Sequence, residues 1–154
     1  MKNKAPGVFE RIAGALASGR DRTAAVIWQP EDARYPRLLP FDPRPLAGRS
    51  GLYLLWHLGV RPQWLRVGFS LDLGEAIKLL ANTPAITAFG ANDGPFLSWC
   101  FCAEGGAAGV VNFLAGQLKP VLQDQMLACD HAVNFAAAPV PCALPAGTKD
   151  IQRH

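Results

Sequence analysis

Apolar residues in this chain recur in short, separately spaced groups, and their spacing predicts a mixed set of elements. Val8, Phe9, Ile12, Ala13 and Leu16 follow helical spacing with Gly19 placed to end the helix. Residues 24–28 form a compact apolar run closed by Gln29-Pro30 and read as a strand. Between 30 and 49, Pro30, Pro36, Pro40, Pro43 and Pro45 stand among Arg and Asp, which excludes a helix or an interior strand and predicts an extended linker over the fold. Residues 51–58 and 64–69 are strand-length apolar runs joined by Gly59-Val60-Arg61-Pro62, the pattern of an antiparallel hairpin. Asp72 then caps a helix with Glu75 as its reciprocal partner, and Leu73, Ala76, Ile77 and Leu80 form one apolar face that Asn82 and Pro84 terminate. Two further strands are predicted at 86–89 and 96–102, separated by the turn-forming residues 90–95. A helix over 107–118 buries Val110, Val111, Leu114 and Leu118 before Lys119-Pro120. Val121, Leu122, Met126 and Leu127 have the spacing to extend it. Past Ala136, Pro139, Pro141 and Pro145 forbid a helix, and the segment reads as a mobile tail.

The expected fold class is therefore α+β: a small antiparallel three-stranded sheet flanked by helices, with an N-terminal helix and strand extension. Three parts are expected: 1–49, helix, short strand and Pro/Arg-rich linker; 50–128, the α+β domain; and 129–154, the tail. With 154 residues, 50% of them hydrophobic and 18% charged, the chain has enough apolar material for one core. Charge is uneven along it. Residues 1–50 hold nine Lys/Arg against five acids, whereas in 51–120 Arg61, Arg66, Lys78 and Lys119 are cancelled by Asp72, Glu75, Asp93 and Glu104. A neutral central domain counts against strong grip on duplex phosphates, so Arg34, Arg37, Arg44, Arg49 and Arg61 are the candidates for phosphate or partner contacts.

Charged residues interrupt the apolar stretch near the N-terminus, and no segment has the uninterrupted apolar length of a membrane span, so a cytoplasmic protein with no membrane partner is expected. Cys100, Cys102, Cys129 and Cys142 are then reduced thiols. Cys100 and Cys102 face the same way on a strand and Cys129 lies near His131, but the spacing matches no common zinc motif. The thiols read as small apolar side chains, with no metal and no cofactor expected.

Gly51-Leu52-Tyr53, followed after twelve residues by Arg66-Val67-Gly68 and then by a short helix, resembles the two motif halves of the GIY-YIG nuclease domain. The order strand, strand, helix, strand, helix, Pro extends the resemblance over roughly residues 50–123. It implies a reaction that uses a tyrosine in each motif half, an arginine on the first helix and a metal-binding glutamate on the second, the ion and the arginine stabilising charge on the phosphate. Position by position, only Tyr53 is retained. Arg66 stands for the second tyrosine, Ala76 for the arginine and Val111 for the glutamate. Residues 105–123 contain no acid, and Glu104 is the only nearby substitute. The expectation is a domain with no catalytic residues and no enzymatic activity.

Tyr53 and His57, four apart on one strand, with Arg66 on its neighbour, form a candidate anion-binding patch or a weak acid/base site, the latter disfavoured because His57 has no orienting carboxylate. Together with Ala76 and Val111 they define the former active-site face. Two functions follow: a catalytically degenerate binding or scaffolding module for another protein, or a nucleic-acid binder or divergent nuclease using the basic N-terminal half. The position of the arginines relative to Tyr53 and Arg66 discriminates between them.

Overall fold

The computed structural model describes residues 23–91, 93–124 and 134–151. Within them the expected antiparallel sheet is present. Strand β1 (Gly51–His57) lies between β2 (Gln63–Ser70) and β3 (Phe96–Phe101), antiparallel to both. Helix α1 (Leu73–Leu80) follows β2, and α3 (Ala107–Leu118) follows β3. All seven residues of β1 are buried, as expected of a central strand with both faces covered.

Alternation along β1 divides the core in two. Leu52, Leu54 and Trp56 pack with Val67, Phe69 and Cys100 against α3 residues Ala107, Val110, Val111, Leu114 and Leu118. Tyr53 and Leu55 pack on the opposite face with Leu97 against α1 residues Leu73, Ala76, Ile77 and Leu80. The two long helices thus cover opposite faces of the sheet, three layers in all.

At the N-terminus of α1 the Asp72 carboxylate accepts from Glu75 N–H at 3.1 Å and from Gly48 N–H at 2.9 Å. The expected reciprocal bond from Glu75 is replaced, since Asp72 N–H donates to Ser70 Oγ at 3.0 Å. The Gly48 bond, and after it the Glu75 bond, hold the Asp72 carboxyl below the ordinary carboxylate range. Asp72→Ala should therefore cost about 1 kcal/mol. Because the folded-state pKa is depressed, this contribution is complete above the unfolded carboxyl pKa, about 4, and is lost as pH falls through the folded value. Urea titrations of the native protein and the Asp72→Ala variant between pH 3 and 7 should converge only at the acid end.

Three expectations change. The run at 86–89 is not a strand: it lies in a short helix α2 (Pro84–Thr87), which Thr83 precedes and in whose first turn Pro84 stands, and in a 3-10 turn, Ala88–Ala91. Proline suits the first turn of a helix, and a run of four residues is too short to reveal a period. The 24–28 run forms no ladder either. Ala24 bridges Cys142 and Gln29 bridges Trp99, while Pro141 and Pro30 beside those bridges have no N–H with which to continue them. The third change concerns the tail. Residues 134–151 pack on the domain, with Val140 at 0% and Ile151 at 4% exposure. Proline excludes a helix there but not an extended chain: Ala24 N–H donates to Pro141 O, Trp28 Nε1 to Ala143 O and Tyr35 Oη to Ala146 O, at 2.7, 2.8 and 2.7 Å. Gly109 on α3 admits Val140, whose Cγ2 would lie 2.6 Å from a Cβ there. The predicted helix around 8–16 lies outside the described residues, as do Met126, Leu127, Cys129 and His131.

The linker lies over the fold as expected and closes the outer edge of β3 at two points. Gln29 exchanges backbone bonds with Trp99, and Leu97 N–H donates to Pro36 O while Leu38 N–H donates to Pro95 O. The outer edge of β2 is covered after α3, where Lys119 turns the chain in the left-handed region at φ 48°. Val121 and Leu122 N–H donate to Trp64 O and Leu65 O. Gln123 then accepts from Val67 N–H at 3.0 Å and donates to Val67 O at 2.8 Å, its carboxamide standing in for a strand residue.

Candidate functional site

A bulge in β2 determines what the two motif halves build. Leu55 pairs with Arg66 but Trp56 pairs with Trp64, leaving Leu65 as the extra residue. Without it, alternation would put Trp64, Arg66 and Gly68 on one face. With it, Trp64 turns to the α3 side, while Leu65 lies on the α1 side with Tyr53 and Arg66 reaches the Tyr53 hydroxyl there.

Tyr53 lies flat across the neighbouring strand, over Gly68, its cross-strand partner. A Cβ on Gly68 would overlap the phenol end of that ring, 2.5 Å from Cζ and 2.6 Å from Cε2. The absence of a side chain at 68 is what lets the ring cross. Arg66 Nε donates to the Tyr53 hydroxyl at 3.2 Å, and Arg66 Nη1 donates to Leu122 O at 2.6 Å. Tyr53 is 0% and Arg66 4% exposed. The pair therefore joins β1, β2 and the segment after α3 inside the protein, and presents no hydroxyl or guanidinium to solvent.

His57 does not join it. Its Nε2 bonds Gln63 Oε1 at 3.0 Å and its Nδ1 accepts from Gly59 N–H at 3.2 Å, which specifies the neutral tautomer protonated on Nε2. The ring stacks on Phe89 at 5.1 Å and is 2% exposed. Both nitrogens are committed to the geometry of the hairpin turn. The Tyr53, His57 and Arg66 trio thus divides into a buried pair and a separate turn clasp.

Ala76 and Val111, 1% and 5% exposed, are core residues of α1 and α3 and belong to different clusters on opposite faces of the sheet. The expected former active-site face is therefore not a single face. Glu104 is exposed in the 3-10 turn Glu104–Gly106 ahead of α3. Among the described residues no three His, Cys, Asp or Glu side chains are grouped so as to hold a metal ion. Cys100, Cys102 and Cys142 are buried in the α3-side core, where burial, reinforced by Cys100, raises the Cys102 pKa and pushes Cys142 up to about 12. Thiols so placed are apolar packing groups and not nucleophiles.

The five arginines are exposed and distributed. Arg37 pairs with Asp93 at 2.7 Å and lies over Phe96, 5.0 Å from the ring centroid. Arg44 pairs with Asp42 at 2.8 Å, a bond that holds the Asp42 carboxyl below its ordinary range. Arg49 lies over Phe101 at 3.6 Å. Phe96 packs on the α3-side core and Phe101 on the α1-side core, at opposite ends of β3. Arg61 is in the β1–β2 turn and Arg34 in the linker. They do not converge on Tyr53 and Arg66.

No family model, curated protein or solved structure matches the chain. Sequence reasoning missed the cradle at Gly68 and the partners Leu122 and Gln123. A glycine opposite a tyrosine in the hairpin was the available signal for the first; no local pattern marks the other two.

Proposed function

We propose that this chain is a non-catalytic, GIY-YIG-like binding or scaffolding module whose partner is another protein. The observation that carries this reading is the closure of the motif centre: Tyr53 is fully buried, its hydroxyl accepts from Arg66 Nε, and it stands over Gly68. Phosphate cleavage needs charged groups or a metal ion against the developing negative charge, and Ala76 and Val111 supply apolar core in place of an arginine and a carboxylate. Nucleic-acid binding is the weaker reading, because Arg37 and Arg44 are paired with Asp93 and Asp42 and the others are dispersed. No helix among the described residues is long and apolar enough to cross a membrane. Free thiols at Cys100, Cys102 and Cys142 fit a cytoplasmic setting.

Purified protein incubated with supercoiled plasmid or single-stranded RNA and Mg²⁺ or Mn²⁺ is expected to leave both intact. Metal-dependent cleavage abolished by Tyr53→Phe or Glu104→Gln would overturn the proposal. Affinity capture from nuclease-treated extract, followed by reconstitution from purified components, should yield a protein partner; recovery of nucleic acid alone would favour the second reading.

A further inference from the structure

The arginines differ in how their hydrogen-bonding capacity is used. Arg37 and Arg44 donate to Asp93 and Asp42, which neutralise them. Arg49 is held in a different way. Its N–H donates to Leu46 O at 3.1 Å and its C=O accepts from Leu73 N–H at 2.7 Å, so its backbone is fixed between the 3-10 turn Arg44–Leu46 and the start of α1. The preceding Gly48, at φ 75°, is tied to the Asp72 carboxylate. The guanidinium carbon then lies 3.6 Å from the centroid of Phe101, a ring packed on the α1-side core. Among the described residues no acceptor takes an Arg49 side-chain N–H and no carboxylate pairs with it.

An exposed arginine normally loses side-chain freedom when it binds. Here stacking on an aromatic ring has already restricted it, while its forked donors remain unspent. That fork matches the two oxygens of a carboxylate. From this geometry we infer that Arg49, seated on Phe101, is a preorganised anchor for an acidic side chain of the protein partner. The net charge of +3 favours an acidic partner in the same direction. The assignment rests on the binding-module reading and names its contact chemistry.

The test is an NMR titration of the full chain, following the Arg49 Nε–Hε resonance at constant ionic strength. Its probes are a hexaglutamate peptide, its glutamine counterpart, inorganic phosphate and a thymidine oligonucleotide. Hexaglutamate should shift the resonance saturably and hexaglutamine should not. Arg49→Ala and Arg49→Lys should each weaken peptide binding about tenfold, because lysine keeps the charge without the fork. Phe101→Leu, which keeps the arginine but releases it, should give a smaller loss, and Lys149→Ala should give none. Thermal unfolding of the Arg49 variants should match the native protein. Full affinity in Arg49→Lys, an equal response of every cationic side chain, or a response to phosphate or oligonucleotide without hexaglutamate would overturn the assignment. Because the probes are synthetic, the anchor can fail while a captured protein still binds, which would leave the module reading standing.

Discussion

Gly68→Ala is expected to destabilise the domain by about 3 kcal/mol or more, although alanine suits a strand better than glycine. The cost is steric. A Cβ at 68 would occupy the space of the Tyr53 ring, and that ring is 0% exposed, with its hydroxyl bonded to Arg66. Tyr53→Phe should not relieve the penalty, because Cζ and Cε2 remain in place. Tyr53→Leu removes those atoms and should reduce the added cost of Gly68→Ala, giving a coupling of about 1 to 3 kcal/mol in a double-mutant cycle. Urea denaturation of the four proteins measures it. A Gly68→Ala cost within about 0.5 kcal/mol would mean that the ring moves aside freely, as for an ordinary surface substitution, and the closed centre would then be an openable one.

The second large effect concerns the positions where the GIY-YIG resemblance expects charge. Ala76→Arg and Val111→Glu should each cost about 2 to 4 kcal/mol through overpacking and buried charge, and neither should produce cleavage. Ala76 and Val111 lie in separate cores across the sheet, so their effects should add to within about 0.5 kcal/mol. Their sum approaches the whole stability of a typical domain, about 5 to 15 kcal/mol, and the double variant is best measured with a stabilising osmolyte present. Strong coupling would place the two side chains in one site after all. Unchanged stability in both single variants would show that these positions open onto solvent and that a pocket persists there.

The sequence by itself determined the elements whose signal is local. Leu52 to Trp56 and Trp64 to Phe69 separated by a Gly/Pro turn specify the hairpin, and Asp72 with Leu73, Ala76, Ile77 and Leu80 specifies the cap and face of α1. Val110, Val111, Leu114 and Leu118 do the same for α3. That 76 and 111 hold apolar residues was legible too, because it is a matter of residue identity. Tertiary structure decided what one chain position means to another distant in sequence. The bulge at Leu65 put Trp64 and Arg66 on different faces, which no alternation rule anticipates. Attachment of α1 and α3 to opposite faces separated Ala76 from Val111. Residues 134–151, free by their own composition, became part of the core because Val140 found Gly109 and Pro141 O found Ala24 N–H. Hydrophobic period and capping act over a few residues and can be read from them; contacts across more than a hundred residues depend on the shape that the rest of the chain has already taken.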